Sequence, residues 1–281
     1  MKKAAFTVCS DPLSAERMQE ICVLKEKLRE EGVETEMVSG FFDGDIADPA
    51  RKGQLLSDCF KRQDFDYIFD VSGGDLANFV LPHLDYEAIG NSRAMFFGYS
   101  DLTTVINAVI ARTGRAAVNY QVRNLLYDHA PEQIRYLHER ILADQIVLED
   151  LEAEFLRGSS MEGRILGGNI RCFLKLAGTA YWPDMKNSIL LLESLGGSVY
   201  QMMTALEQYR QMGVFDQVKG VLLGTFTKME KEQMTPTIDE LVLRMVPENI
   251  PVAKTRYIGH YSDARAVVLG KHCRLDTGDQ R

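Results

Sequence analysis

Four short apolar runs in the first hundred residues, each separated from the next by a stretch of helical spacing, limit the folds open to this chain. The runs are Phe6–Cys9, Val33–Val38, Phe65–Val71 and Ala94–Tyr99. Between the first two, Met18, Ile21, Leu24 and Leu28 recur at three and four residues, which places them on one face of a helix that Gly32 can close. Leu55, Leu56, Cys59 and Phe60 form the stripe of a second helix, and Leu76 to Leu84 reads as a short third. Strands alternating with helices must pair in parallel through right-handed crossovers, so this half is expected to be a doubly wound α/β sheet.

Past Leu126 the pattern turns charged and helical, through Pro131-Glu132-Gln133 and Glu149-Asp150-Leu151-Glu152. A second alternation then begins. Gly167-Gly168-Asn169 is expected to open a helical stretch, Ser188–Leu192 is an apolar strand ending at Glu193, and Val199–Met212 is helical. Val218–Leu223 reads as a strand, Ile238–Met245 as a helix, and Pro251–Tyr257 leads to Gly259-His260. The 281 residues suit about two domains at roughly 150 residues each. The expected division is an N-terminal domain over 1–126, a helical linker over 127–158 and a smaller C-terminal α/β domain over 159–281.

Composition removes several function classes. Lys plus Arg number 32 against 40 Asp plus Glu, a net charge of −8. An acidic body without a local basic patch is poorly suited to nucleic acid. The longest apolar runs are far shorter than the roughly 20 residues a membrane helix needs. Lys2-Lys3 precedes an apolar stretch, but Ser10-Asp11-Pro12 interrupts it too soon for a secretion signal. Five scattered cysteines without a Cys-x-x-Cys pair argue against a disulfide framework or a structural zinc site, so the expected setting is the cytoplasm. Neither Gly-x-Gly-x-x-Gly after the first strand nor a Walker loop is present, and no cofactor is expected.

In open parallel sheets, ligands bind beyond the carboxyl ends of the strands. Four positions there could carry chemistry: Gly73-Gly74, Ser100-Asp101, Glu193 and His260. Ser100 lies between a strand and a helix, where an exposed hydroxyl would face backbone N–H groups; its plainer reading is a helix N-cap. Glu193 would emerge from a buried strand as a charge in need of a partner. His260, in a polar loop, is better placed to supply one than His83, His129, His138 or His272. A hydroxyl, an imidazole and a carboxylate form a hydrolytic set by geometry and not by chain order, so Ser100, His260 and Glu193 are chemically compatible as one, and such a set needs no metal.

Several segments carry a resemblance. Gly73-Gly74, Leu81-Pro82-His83-Leu84-Asp85-Tyr86 and Phe97-Gly98-Tyr99-Ser100-Asp101-Leu102-Thr103, followed by Leu166-Gly167-Gly168-Asn169, Leu176–Tyr181, Ile189–Glu193, Leu222-Leu223-Gly224 and Gly259-His260, closely resemble the LD-carboxypeptidase family, serine peptidase family S66, which includes the microcin C self-immunity peptidases. The resemblance implies Ser100 as nucleophile, His260 as general base and then acid, Glu193 holding the imidazole, and an oxyanion hole, assigned to the backbone N–H groups of Asp101 and Gly74. It implies a homodimer and a peptide or peptidyl-nucleotide substrate. The expected reaction is removal of terminal D-alanine from a murein tetrapeptide. The alternatives are amide cleavage of a microcin C-like aminoacyl nucleotide, and a non-catalytic binding protein on the same frame. Cys9-Ser10, Asn119-Tyr120-Gln121 and Val267–Gly270 stand where the family usually has Pro-Ser, Gly-Pro and Pro-Ile-Gly; the first two border the substrate in relatives.

Overall fold

The computed structural model describes residues 1–39 and 48–277; residues 40–47 and the last four of the expected C-terminal domain lie outside them. Its twelve strands are β1 (Lys2–Thr7), β2 (Val33–Met37), β3 (Tyr67–Asp70), β4 (Met95–Gly98), β5 (Ala117–Asn119), β6 (Glu154–Arg157), β7 (Ser160–Asn169), β8 (Ser188–Ser194), β9 (Gly220–Phe226), β10 (Val252–Lys254), β11 (Val267–Leu269) and β12 (His272–Asp276). They form two six-stranded sheets, ordered β11-β5-β4-β3-β1-β2 and β12-β7-β8-β9-β10-β6. The first five strands are mutually parallel, as are β7 to β10. Antiparallel strands close one edge of the first sheet and both edges of the second. Every residue of β8 and β9 is buried. Strands covered on both faces read as continuous apolar runs, which is why Ile189–Leu192 was legible.

The sheets do not divide the chain where the sequence suggests. Glu154–Arg157, inside the expected helical linker, is an edge strand of the second sheet. Val267–Leu269 returns to pair with Ala117–Asn119 in the first. The remainder of the linker contains a short α-helix, Ala130–Tyr136, continued by a π turn over Leu137–Ile141. Gly167-Gly168-Asn169 ends the ten-residue strand β7, and the helix that follows is only Ile170–Leu174. Leu76–Leu84 is a 3-10 segment, Ala77–His83, rather than an α-helix.

One helix locks the two sheets together. Thr103–Thr113 follows the turn after β4, and its residues 103 to 110 are all buried. Asn107 donates to the Gly167 carbonyl at 2.8 Å and accepts from the Gly167 N–H at 3.0 Å. Thr103 Oγ1 accepts from Asn169 N–H at 3.0 Å. A Cβ on Gly168 would fall 2.7 Å from that same Oγ1, so only glycine lets β7 come this close. Asn107→Ala would strand the N–H and C=O of Gly167 without partners, and stability is expected to fall by about 2 to 4 kcal/mol. Urea unfolding reads this as a lower midpoint at unchanged slope; an unchanged midpoint would show that the sheets are held by other means.

Candidate active site

The switch in strand order between β1 and β3 opens a crevice at the carboxyl ends of the first sheet, and the turn after β4 lies beside it. Gly98 ends β4, and Tyr99 is fully extended at φ −165°. Ser100 then takes φ 59°, in the left-handed region where a non-glycine residue is strained. The 3-10 turn Ser100–Leu102 has no side-chain cap hydrogen bond, so the N-cap reading of Ser100 does not hold. Its Oγ instead lies 3.2 Å from His260 Nε2.

The other two groups come from the second sheet. Glu193 is the penultimate residue of β8, at a register shift where the two steps from Leu192 to Ser194 match three on β9. Bulges of this kind re-aim side chains near functional sites. The Glu193 carboxylate is 1% exposed, and its Oε2 lies 2.7 Å from His260 Nδ1. The contact is short but off the hydrogen-bonding axis, and Oε1 meets no donor among the described residues. The loop carrying His260 is pinned to the end of β9, where Thr225 N–H donates to Ile258 O at 2.7 Å. Tyr99 packs on the imidazole with ring centroids 4.4 Å apart. Burial, and then the Glu193 charge, push the Tyr99 phenol well above its ordinary pKa, so it stays neutral. A hydroxyl, an imidazole and a carboxylate thus lie in sequence, with successive contacts of 3.2 and 2.7 Å, between the two sheets.

Gly74, at φ 133°, has no hydrogen-bond partner for its N–H among the described residues. A side chain there would run into the Asp11 carboxylate, with a Cβ only 2.1 Å from its Cγ. That carboxylate holds the turn by accepting from Asp75 N–H at 3.0 Å and Leu76 N–H at 3.2 Å. Asp101 is fully buried. Its Oδ2 accepts from Ser10 Oγ and from Ala77 N–H, each at 2.7 Å, and its Oδ1 meets Lys175 Nζ at 2.6 Å. Asp70 is a further buried carboxylate, accepting from Thr7 Oγ1, Cys9 N–H and Ser72 N–H, which ties the end of β1 to the loop after β3. Burial raises its pKa despite those bonds. Sequence reading noted Ser10 only as a departure from the family beside the substrate, and missed Asp11, Asp70 and Lys175. A carboxylate closing an apolar strand, as in Ile68-Phe69-Asp70, was the available signal for Asp70.

Ser100 and Gly74 line a cavity of about 850 Å³ together with Asp75, Asn169, Lys175 and the Ser194–Gly197 turn. A depression of about 560 Å³ between Asp184, Asp216 and Pro251 lies at the opposite, amino ends of the second sheet's strands, and holds no comparable set. The Asn119-Tyr120-Gln121 segment and Trp182 have structural partners. Tyr120 is buried and donates to Gln133 Oε1 at 2.7 Å, Gln121 caps the turn Val122–Leu126, and Trp182 stacks on Phe173. His129 meets Ser262, and His138 meets Glu31. Among the described residues no cluster of three or more His, Cys, Asp or Glu could hold a metal, and no helix is long and apolar enough to cross a membrane.

Cys172 also borders the cavity, but burial pushes its thiol up to about 12, as it does that of Cys59. A thiol in that range supplies almost no thiolate at neutral pH. Iodoacetamide at pH 8 is expected to label the exposed Cys22 and to spare Cys9, Cys59 and Cys172 in the native protein. Peptide mapping would show the pattern, and early modification of Cys172 would reopen it as a nucleophile.

Residues 5–120 match the model of the LD-carboxypeptidase N-terminal domain, and residues 162–275 that of the LD-carboxypeptidase C-terminal domain. YocD of Bacillus subtilis (strain 168), a carboxypeptidase by name, is 24% identical over 236 residues, covering 74% of this chain and 72% of its own. The microcin C7 self-immunity protein MccF of Escherichia coli is 23% identical over 206 residues, covering 62% and 60%. The wild-type apo structure of MccF superimposes with a TM-score of 0.85 at 19% identity, covering 98% of this chain and 93% of that one; MccF has also been solved with aspartyl sulfamoyl adenosine, at the same TM-score, 20% identity and the same coverage. The two domain models in order over most of the chain, on a two-sheet frame shared with MccF, make this protein a member of the S66 LD-carboxypeptidase family, a serine peptidase.

Proposed function

We propose that the protein is a serine carboxypeptidase that uses Ser100, His260 and Glu193 as its catalytic triad and removes the terminal D-alanine from a murein tetrapeptide. The observation that carries this reading is the succession of Ser100 Oγ, His260 and Glu193 at contacts of 3.2 and 2.7 Å. Ser100 Oγ attacks the scissile carbonyl carbon while its proton passes to His260 Nε2. The carbonyl electron pair moves to oxygen, and the oxyanion is met by the N–H groups of Asp101 and Gly74. Each such donor is worth ~3 to 4 kcal/mol in the transition state. Collapse breaks the C–N bond, and His260 returns its proton to the departing amine. Water, deprotonated in turn by His260, then releases the acyl group from Ser100. Glu193 holds the imidazole in its tautomer and offsets the imidazolium charge throughout.

A second reading has its own support. MccF, whose frame this chain shares, is a self-immunity protein solved with aspartyl sulfamoyl adenosine. On that reading the same triad cleaves the amide of an aminoacyl or peptidyl nucleotide. Mass spectrometry after incubation with a murein tetrapeptide, and separately with a processed microcin C analogue, tests both. Loss of one alanine from the tetrapeptide alone is expected. Cleavage of the nucleotide alone would overturn the murein assignment in favour of the second reading, and cleavage of neither would overturn both.

A further inference from the structure

Lys175 belongs to neither the triad nor the oxyanion hole, yet it touches the supports of both halves of that hole. It caps the short helix Ile170–Leu174, which follows β7 in the second sheet. Its ammonium lies 2.6 Å from Asp101 Oδ1, 2.8 Å from the Asp75 carbonyl oxygen and 3.4 Å from Asp75 Oδ1. Three donor directions serve three acceptors. Asp101 adjoins Ser100, and Asp75 adjoins Gly74. Among the described residues, Ser10 Oγ and Ala77 N–H bond the Asp101 carboxylate as neutral donors, and Lys175 is the cation that meets it. A fully buried carboxylate deprived of its cation is costly and tends to rearrange. Arg171, one helical turn earlier, reaches Asp75 at 3.1 Å but is largely exposed.

We infer that Lys175 is a positioning residue: a single ammonium, carried by the second sheet, holds the turns of Asp101 and Gly74 at the spacing that the oxyanion requires. The inference rests on the serine mechanism proposed above. Because the cation comes from one sheet and both turns from the other, the hole is complete only when the domains are docked. Burial draws the lysine pKa down, but the bond and charge of Asp101 outweigh it and the net shift is upward, so the ammonium persists through the neutral range.

The test uses the full chain and the rate at which a fluorophosphonate labels Ser100, a readout that needs the hole and no knowledge of the substrate. Lys175→Met keeps the length and removes the charge, and labelling is expected to slow by about 10- to 100-fold, the scale set by displaced catalytic groups. Lys175→Ala leaves a space for propylammonium beside the cavity, and millimolar propylammonium is expected to restore labelling several-fold in that variant and to leave the wild type unchanged. Wild-type labelling rates in Lys175→Met would overturn the inference while leaving the triad intact. Loss of labelling that propylammonium does not restore, accompanied by a lower urea midpoint, would assign Lys175 a purely structural role and overturn it as well. If the wild type is not labelled, or Ser100→Ala is labelled equally, the serine mechanism fails and the inference fails with it.

Discussion

Ser100→Ala is expected to lower kcat by about 10⁴- to 10⁶-fold, the range for removing a nucleophile that acts as a unit with its base, while KM for the cleaved substrate changes little. The alanine keeps the strained φ of 59° and leaves His260 and Glu193 in contact, so the fold should persist. The hydroxyl makes no cap bond whose loss would unravel the turn. Circular dichroism melting alongside single-turnover kinetics separates the outcomes. Turnover at the wild-type rate would remove Ser100 from the mechanism, and loss of the fold would show that the elbow needs the hydroxyl for stability.

Glu193→Gln is expected to cost about 10³- to 10⁴-fold in kcat, comparable to the loss when a triad carboxylate becomes an amide and the imidazole takes the wrong tautomer. The amide fills the same space, and at 1% exposure no water can stand in for the lost charge. The Glu193 oxygens find no other hydrogen-bond donor among the described residues, so His260 is the one group the substitution addresses. A kcat within ten-fold of wild type would mean that the loop pinned by Thr225 and Ile258 orients His260 without help. A rise in KM with kcat unchanged would place Glu193 in substrate binding.

These expectations rest on distances that join residues 160 positions apart, and the sequence carried them unevenly. Ile189–Leu192 was readable because a strand buried on both faces must be apolar throughout, and the polar residue closing it had to be Glu193. Ser100 was readable as a hydroxyl between a strand and a helix, though a cap and a nucleophile look alike in one dimension. The long strand β7 was missed: its glycines at 163, 167 and 168 and its charged residues resemble a turn, and only the close approach of Asn187 O, Leu191 O and Thr103 across space explains why glycine is needed there. The three-residue strands β5 and β11 were missed because so short a run has no period to detect.

Local sequence determined the alternation of strands and helices and the four strand ends at which chemistry could sit. Those properties follow from periodicity and residue type, which act over a few neighbours. The tertiary structure decided the rest. It turned the Ser100 hydroxyl from a cap toward His260, brought Glu193 up behind the ring, and set Asp11, Asp101 and Lys175 around the turns of Gly74 and Ser100. Such contacts arise from packing two sheets against one shared helix, and a buried carboxylate finds its donors across space rather than along the chain.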